Sequence, residues 1–192
     1  MGQKSEITVQ AAIARGGKFL LVHDKGDAQY TGGDNRLPRK PPGWGLPGGG
    51  VDKTEPELIK RINDLLVLQK ISKNYEEAKR KLETIPYNSE IELPIFLTFI
   101  SECLEETGFL VWPVRILFEE IVGFKHRVPV GEGRILAGAL CKRSLEIDDC
   151  DWYCPNQLPE GTYNLHKIRI NRAARILGLE TSEPEEEMAG SL

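Results

Sequence analysis

The sequence predicts an α+β protein, and three observations carry the prediction. Apolar runs of strand length, bounded by glycine, open the chain. Segments with helical spacing occupy its middle. Strand-like runs then return and lead into a last helical segment. The chain has 192 residues, the length of one domain with room for an insertion. Residues 1–180 are read as that domain.

Taken in order, residues 7–14 and 18–22 read as two strands joined at Gly16-Gly17. Residues 23–42 are rich in glycine, aspartate and proline, lack an apolar period, and read as a loop. The stretch GWGLPGGGVDKTE, residues 43–55, reads as another loop. Thr54-Glu55-Pro56-Glu57 is a capping box, with Thr54 as N-cap and Glu57 three residues later. Pro56 falls in the first turn, where its missing N–H costs nothing. Leu58, Ile62, Leu65 and Leu66 continue at helical spacing. Asn74 and Glu77 open a second helix, with Tyr75, Ala78 and Leu82 on a narrow apolar face.

Residues 93–107 form a third predicted helix, and Gly108 is its stop. Phe96, Phe99, Ile100 and Cys103 give it one apolar face at i, i+3, i+4 and i+7. Strands are predicted over 111–119, 120–124, 134–141 and near Trp152. Pro129 and Gly131-Glu132-Gly133 mark a loop between them. Residues 164–178 read as a final helix with Leu165, Ile168, Ile176 and Leu177 as its apolar positions. Residues 181–192 read as an acidic, disordered tail.

Composition narrows the function classes. Apolar residues make up 40% and charged residues 28%, so a core can form without a disulfide or metal staple. The net charge is −4, and four acids (Glu183, Glu185, Glu186, Glu187) stand in the tail without a base. The body is therefore near neutral, which argues against a nucleic-acid binder. No run of 18 apolar residues predicts a membrane span. The first ten residues lack the apolar core of a secretory signal, and Glu6 stands where a myristoylation motif wants Ser or Thr. The four cysteines, at 103, 141, 150 and 154, read as reduced thiols, and the expected location is cytoplasmic. Cys150 and Cys154 have no second Cys or His pair nearby to make a zinc site.

Two segments carry chemistry. Glu102, Glu105 and Glu106 stand at i, i+3 and i+4, so a helix places all three carboxylates on one side. Such like charges destabilise a helix by a few tenths of a kcal/mol per pair, and the plain reading is a solvated face. Leu46-Pro47-Gly48-Gly49-Gly50-Val51 is a turn whose glycines let backbone approach a ligand closely. No Lys-Ser or Lys-Thr follows it, so it is not a P-loop.

Together these segments resemble the box of the Nudix hydrolases, G-x5-E-x7-R-E-U-x-E-E-x-G-U with U apolar. Gly49 and Glu55 match its first part. Glu102, Cys103, Leu104, Glu105, Glu106, Thr107, Gly108 and Phe109 match its last part in register. Trp152-Tyr153 ahead of Leu158-Pro159 is similar to the family's late strand and turn. Two departures stand out. Forty-five residues separate Glu55 from Ser101 where the family has seven, an insertion of about 38, read as a helical stretch over 56–93. Long loops cost only about 0.6 kcal/mol per doubling in closure entropy, so the fold tolerates it. Ser101 also replaces the family's arginine, which commonly pairs with the first glutamate, here Glu55. Arg61 or Arg80 from the insertion are candidate replacements.

The resemblance implies an α/β/α sandwich with a mixed sheet. It implies a pyrophosphohydrolase that uses Mg²⁺, or Mn²⁺, to cleave a nucleoside diphosphate linked to another moiety. By carry-over Glu102, Glu105 and Glu106 are metal ligands, with Glu105 as ligand or base, and the Gly49 carbonyl is a further ligand. Glu55 supports them, and Glu132 is a candidate base or substrate contact from a later loop. Arg36, Arg39 and Lys40 are candidate phosphate contacts, and Lys125, His126 and Arg127 form a second basic group. Trp152 and Tyr153 are candidates for stacking on a base. His23 and His166 receive no role. The insertion is expected to cap the site, restrict the substrate or form a homodimer contact. A non-catalytic nucleotide sensor or scaffold on the same fold, and an isomerase, are the other readings; turnover separates them.

Overall fold

The structure, a computed structural model, describes residues 7–26, 41–68, 89–123, 125–140 and 146–179. Its elements are β1 (Thr8–Arg15), β2 (Lys18–Asp24), β3 (Gly43–Gly45), β4 (Gly48–Gly50), α1 (Glu55–Leu68), α2 (Leu93–Thr107), β5 (Phe109–Val122), β6 (His126–Gly138), β7 (Ile147–Tyr153) and α3 (Asn164–Ile176). One mixed sheet runs β3-β2-β1-β6-β5, with β4 also pairing β1 and β7 pairing β2. β1 and β6 are parallel; the other strand pairs are antiparallel.

The period of two along β1 and β2 sorts the core into two layers. Val9, Ala11 and Ile13 of β1, with Leu20 and Val22 of β2, pack on one face against Ile62 and Leu66 of α1 and Phe96, Phe99, Ile100 and Cys103 of α2. Ala12, Phe19 and Leu21 pack on the other face against Ile170, Ala173 and Ala174 of α3. Helices therefore cover both sides of the sheet, and the chain is an α+β protein of the sandwich kind.

α1 begins as its sequence dictates. The Thr54 N–H and hydroxyl both donate to the Glu57 carboxylate, each at 2.7 Å. Those hydrogen bonds hold the Glu57 carboxyl below its usual range. α2 ends at Gly108, whose φ of 76° is left-handed and whose N–H donates to the Leu104 carbonyl.

Four readings need correction. Residues 43–45 and 48–50 form short strands inside the expected loop. Residues 109–122 form one strand rather than two. The loop expected around Pro129 and Gly131–Gly133 lies inside β6. There β6 pairs β1 on one side and β5 on the other, with register shifts in the β5 ladder. The Phe99 ring of α2 presses on Gly131, where a Cβ would come within 2.8 Å of it. Gly131 thus serves a close approach and not a turn. α3 is rotated from its expected setting: Leu165, Ile168 and Ile176 are exposed, while Arg169, Ile170, Ala173 and Ala174 are buried. Small alanines let the helix lie close to the sheet, and Arg169 is neutralised by Glu120.

α1, Glu55–Leu68, covers the start of the stretch 56–93 that the sequence reads as a helical insertion. The second helix expected at 74–82, the 181–192 tail, and residues Arg36, Arg39, Lys40, Arg80 and Cys141 lie outside the described residues. Among the described residues no helix is long and apolar enough to cross a membrane.

Candidate active site

The glycine turn and α2 meet. β4 pairs with the start of β1, Thr8 opposite Gly50 and Gln10 opposite Gly48. This lays the glycines beside the last turn of α2. The Gly48 N–H donates to the Glu106 carboxylate at 2.8 Å. Glu102 lies against Gly49 so closely that a Cβ there would stand 2.5 Å from its Oε2. A side chain at 49 would force the Glu102 carboxylate to shift from its present position.

The third carboxylate is held from α1. The Arg61 guanidinium donates to Glu102 Oε1 at 2.7 Å and also pairs with Glu105. Among the described residues it is the arginine that bridges Glu102 and Glu105, and it stands in the stretch read as an insertion. Ser101 is buried with its hydroxyl unpaired. Arg61 pairs with Glu102 and Glu105 rather than with Glu55, which is exposed at the start of α1.

Burial pushes the Glu102 carboxyl above the usual carboxylate range, and Arg61 opposes the shift. The folded chain holds this proton more tightly than the unfolded one, so metal-free stability falls as pH rises from the ordinary carboxylate value through the raised one. Removing Arg61 enlarges the shift. In a chelator, Arg61→Ala should show a steeper loss of Tm with rising pH than the parent. Each further pKa unit costs about 1.4 kcal/mol, roughly 3–5 °C for a chain of this size. Equal slopes in the two proteins would contradict this account of Arg61.

The donor set suits a hard cation: carboxylates one helical turn apart, beside a glycine strand with free approach to its backbone. In the present side-chain arrangement no group of three acidic, His or Cys side chains converges on a metal position among the described residues. Arg61 draws Glu102 and Glu105 together while Glu106 holds Gly48. Metal binding there calls for rotation of side chains, not of backbone.

Beside Glu106 a cavity of about 320 Å³ opens. β1 pairs with β2 only near the turn, at Ala14 and Arg15, and with β4 at its start. The strands splay between, residues 43–50 enter that splay with β3 on β2 and β4 on β1, and the cavity is lined by residues of all of them. Its lining includes Gln10 of β1, Asp24 of β2, Leu46, Glu146 and His166 of α3. Asp24, Glu106 and Glu146 are its acids, and no Lys or Arg lines it among the described residues.

Other predicted residues fall elsewhere. Glu132 is a strand residue of β6 paired with Arg115 at 2.8 Å, and it does not line the cavity. Trp152 packs on the core. Tyr153 packs edge-on to Trp44 at 5.0 Å between ring centroids. Arg127 is tied to Glu119 and Glu92. His166, assigned no role above, and Gln10, not singled out there, line the cavity. The signal available for His166 was its place three residues before Arg169 on the predicted final helix; Gln10 carried none.

No protein-family model matches the chain, and no curated protein matches it by sequence. Solved structures do. A MutT NUDIX hydrolase from Burkholderia pseudomallei is 19% identical, with a TM-score of 0.51 over 88% of this chain and 98% of that one. A NUDIX hydrolase from Nitrosomonas europaea is 11% identical, with a TM-score of 0.53 over 92% and 74%. A UDP-X diphosphatase is 17% identical, with a TM-score of 0.50 over 92% of this chain; the chain spans 63% of its length. At such identities the likeness is one of fold. With Gly49 and Glu102 to Glu106 juxtaposed on that sheet, this chain has the Nudix fold.

Proposed function

We propose that the chain is a metal-dependent pyrophosphohydrolase acting on a nucleoside diphosphate linked to another moiety. The observation that carries this reading is the convergence of Glu102 and Glu106 on the Gly48–Gly50 strand. Three acids gathered there face Arg61 on two of them and the Gly48 N–H on the third, a single cation for three negative charges in those pairs. Glu102 and Glu106 would hold Mg²⁺ or Mn²⁺, with the Gly49 carbonyl in reach and Glu105 as the further ligand or base. The ion would supply charge neutralisation on the phosphoryl oxygens and a more acidic bound water.

The chain's own residues set the rest. Arg61 restrains Glu102 and Glu105 and keeps the acidic face from splaying. The Gly48 N–H fixes the Glu106 carboxylate. A carboxylate of this face takes the proton of the attacking water. The cavity beside Glu106 receives the part of the substrate attached to the phosphates. Arg36, Arg39, Lys40 and Glu132 stay candidates for substrate contacts, and Glu55 for support of the acidic face. A small-molecule substrate, a cytoplasmic setting and a homodimer through the insertion belong to the same proposal.

The test is a phosphate-release screen of nucleoside triphosphates, nucleotide sugars, ADP-ribose and dinucleotides with Mg²⁺ or Mn²⁺. Turnover that disappears with chelator is the expected result. Silence from folded protein over the whole panel would sink the proposal.

A further inference from the structure

The acidic face of α2 has two unlike flanks. Glu106 lines the cavity beside β4, where no Lys or Arg stands among the described residues. On the other flank the surface of α1 bounds a second cavity, of about 460 Å³. Its lining sets Lys53, Lys60 and Arg61 against two acids, Glu57 and Asp64. Glu57 is already engaged by the Thr54 N–H and hydroxyl at the start of α1. Lys60 is exposed and has no ion-pair partner among the described residues. Lys53 pairs with Asp52 at 3.2 Å on the surface, where such a pair is worth little.

Arg61 belongs to both places. Its guanidinium donates to Glu102 at 2.7 Å and pairs with Glu105, and its side chain also lines the α1 cavity. Burial raises the Glu102 carboxyl pKa, and the charges of Arg61 and then of Lys53 oppose the rise, so Lys53 also stands within reach of the acidic face. In the metal-free chain Arg61 keeps Glu102 and Glu105 together. Its charge is thereby committed to two of the acids that would ligate a metal. A hard divalent ion seeks the same carboxylate oxygens and carries twice the charge. Once Glu102 and Glu105 turn to such an ion, Arg61 loses both partners with its side chain only 24% exposed. A charged group left buried without a partner is costly. The cavity it already lines offers relief. There it adds a third positive charge to Lys53 and Lys60, and its planar fork suits phosphate oxygens taken two at a time.

We infer that Arg61 is a metal-released receptor for a terminal phosphate: with metal on the acids it joins Lys53 and Lys60 as an anion subsite on α1, and the protein prefers substrates that end in a free phosphate. The inference rests on the hydrolase reading above. A nucleoside triphosphate fits both flanks, its uncharged end in the cavity without bases and its most negative end on α1. A terminal phosphate carries about −1.5 to −2 charge at neutral pH. A diphosphate sugar has uncharged groups at both ends and leaves the α1 subsite unanswered. Metal and phosphate then raise each other's affinity, by the same factor in either order.

Calorimetric titration of the full chain with inorganic phosphate, in Mn²⁺ and in chelator, reads that coupling. Phosphate should bind about tenfold or more tightly with Mn²⁺ than without it. Arg61→Ala should lose most of that gain. It should also bind Mn²⁺ alone more tightly than the parent, because a competitor for Glu102 and Glu105 is gone. The second result separates a receptor from a strut, since removing an arginine that only arranges the acids would weaken Mn²⁺ binding. Lys60→Ala, a change on exposed helix surface, should weaken phosphate binding without moving the affinity for Mn²⁺ alone. In turnover with Mg²⁺, the ratio of kcat/KM for a nucleoside triphosphate over the diphosphate sugar of the same nucleoside should favour the triphosphate and fall in both variants. Weaker Mn²⁺ binding by Arg61→Ala overturns the inference, as does phosphate binding that is indifferent to metal or unmoved by either variant. A parent that prefers the diphosphate sugar sinks the inference and leaves the hydrolase reading intact. A folded parent that binds no Mn²⁺ and cleaves neither compound sinks both.

Discussion

Glu106→Gln should reduce metal-dependent hydrolysis by about a hundredfold to a thousandfold, the scale of losing one centre of charge stabilisation at a reacting phosphate. The fold should survive the change. Glu106 is partly exposed, and the glutamine carbonyl can still accept the Gly48 N–H that the carboxylate now accepts at 2.8 Å. What disappears is the negative charge. The kinetic signature is therefore specific: Tm within a few degrees of the parent, turnover nearly gone, and weaker Mn²⁺ binding by titration. Full turnover in the variant would show that Glu106 is not part of the reacting machinery.

Gly48→Ala should have the largest effect on stability. Gly48 has a φ of +153°, and a Cβ built on it stands 2.0 Å from the Val9 carbonyl oxygen. Both partners are backbone, so no side chain can move aside. Strain of about 1–3 kcal/mol at such a position adds to overpacking of about 1–3 kcal/mol. The drop in Tm should be on the order of 10 °C. Activity should fall further than stability explains, because β4 carries the N–H that fixes Glu106. Gly17→Asn is the control. Its φ is +77° with nothing within 4 Å of a Cβ, and asparagine tolerates that region. A Gly48→Ala protein as stable as this control would contradict the geometry.

Much of this was legible from local pattern. The Thr54–Glu57 capping box, the Gly108 stop and the Phe96/Phe99/Ile100/Cys103 face are properties of neighbouring residues, and all three appear as read. The juxtaposition of the glycine turn with the glutamates came through the resemblance to the Nudix box. What failed depended on distant partners. β6 contains Pro129, Gly131 and Gly133, the signals of a loop, yet pairing on both sides and the Phe99 ring keep it extended. α3 was read with the wrong face inward because Arg169 counts as polar. Its partners Glu120 and Gln10 lie 49 and 159 residues away in the chain. Arg61 was one of two candidates to succeed the missing arginine, and only the packing of α1 on α2 shows which acids it reaches.

The splay between β1 and β2 has a consequence for how the molecule breathes. In a closed sheet, the two helical layers are insulated from each other by a continuous ladder of backbone hydrogen bonds. Here the β1–β2 ladder gives way to residues 43–50, paired with β2 through β3 and with β1 through β4, and the cavity at that insertion is walled by Glu106 from one layer and His166 from the other. An occupant of that gap acts as a rivet through the sheet. Hydrogen exchange of α2 and of α3, which report separate local openings in the free protein, should slow together when that cavity is filled.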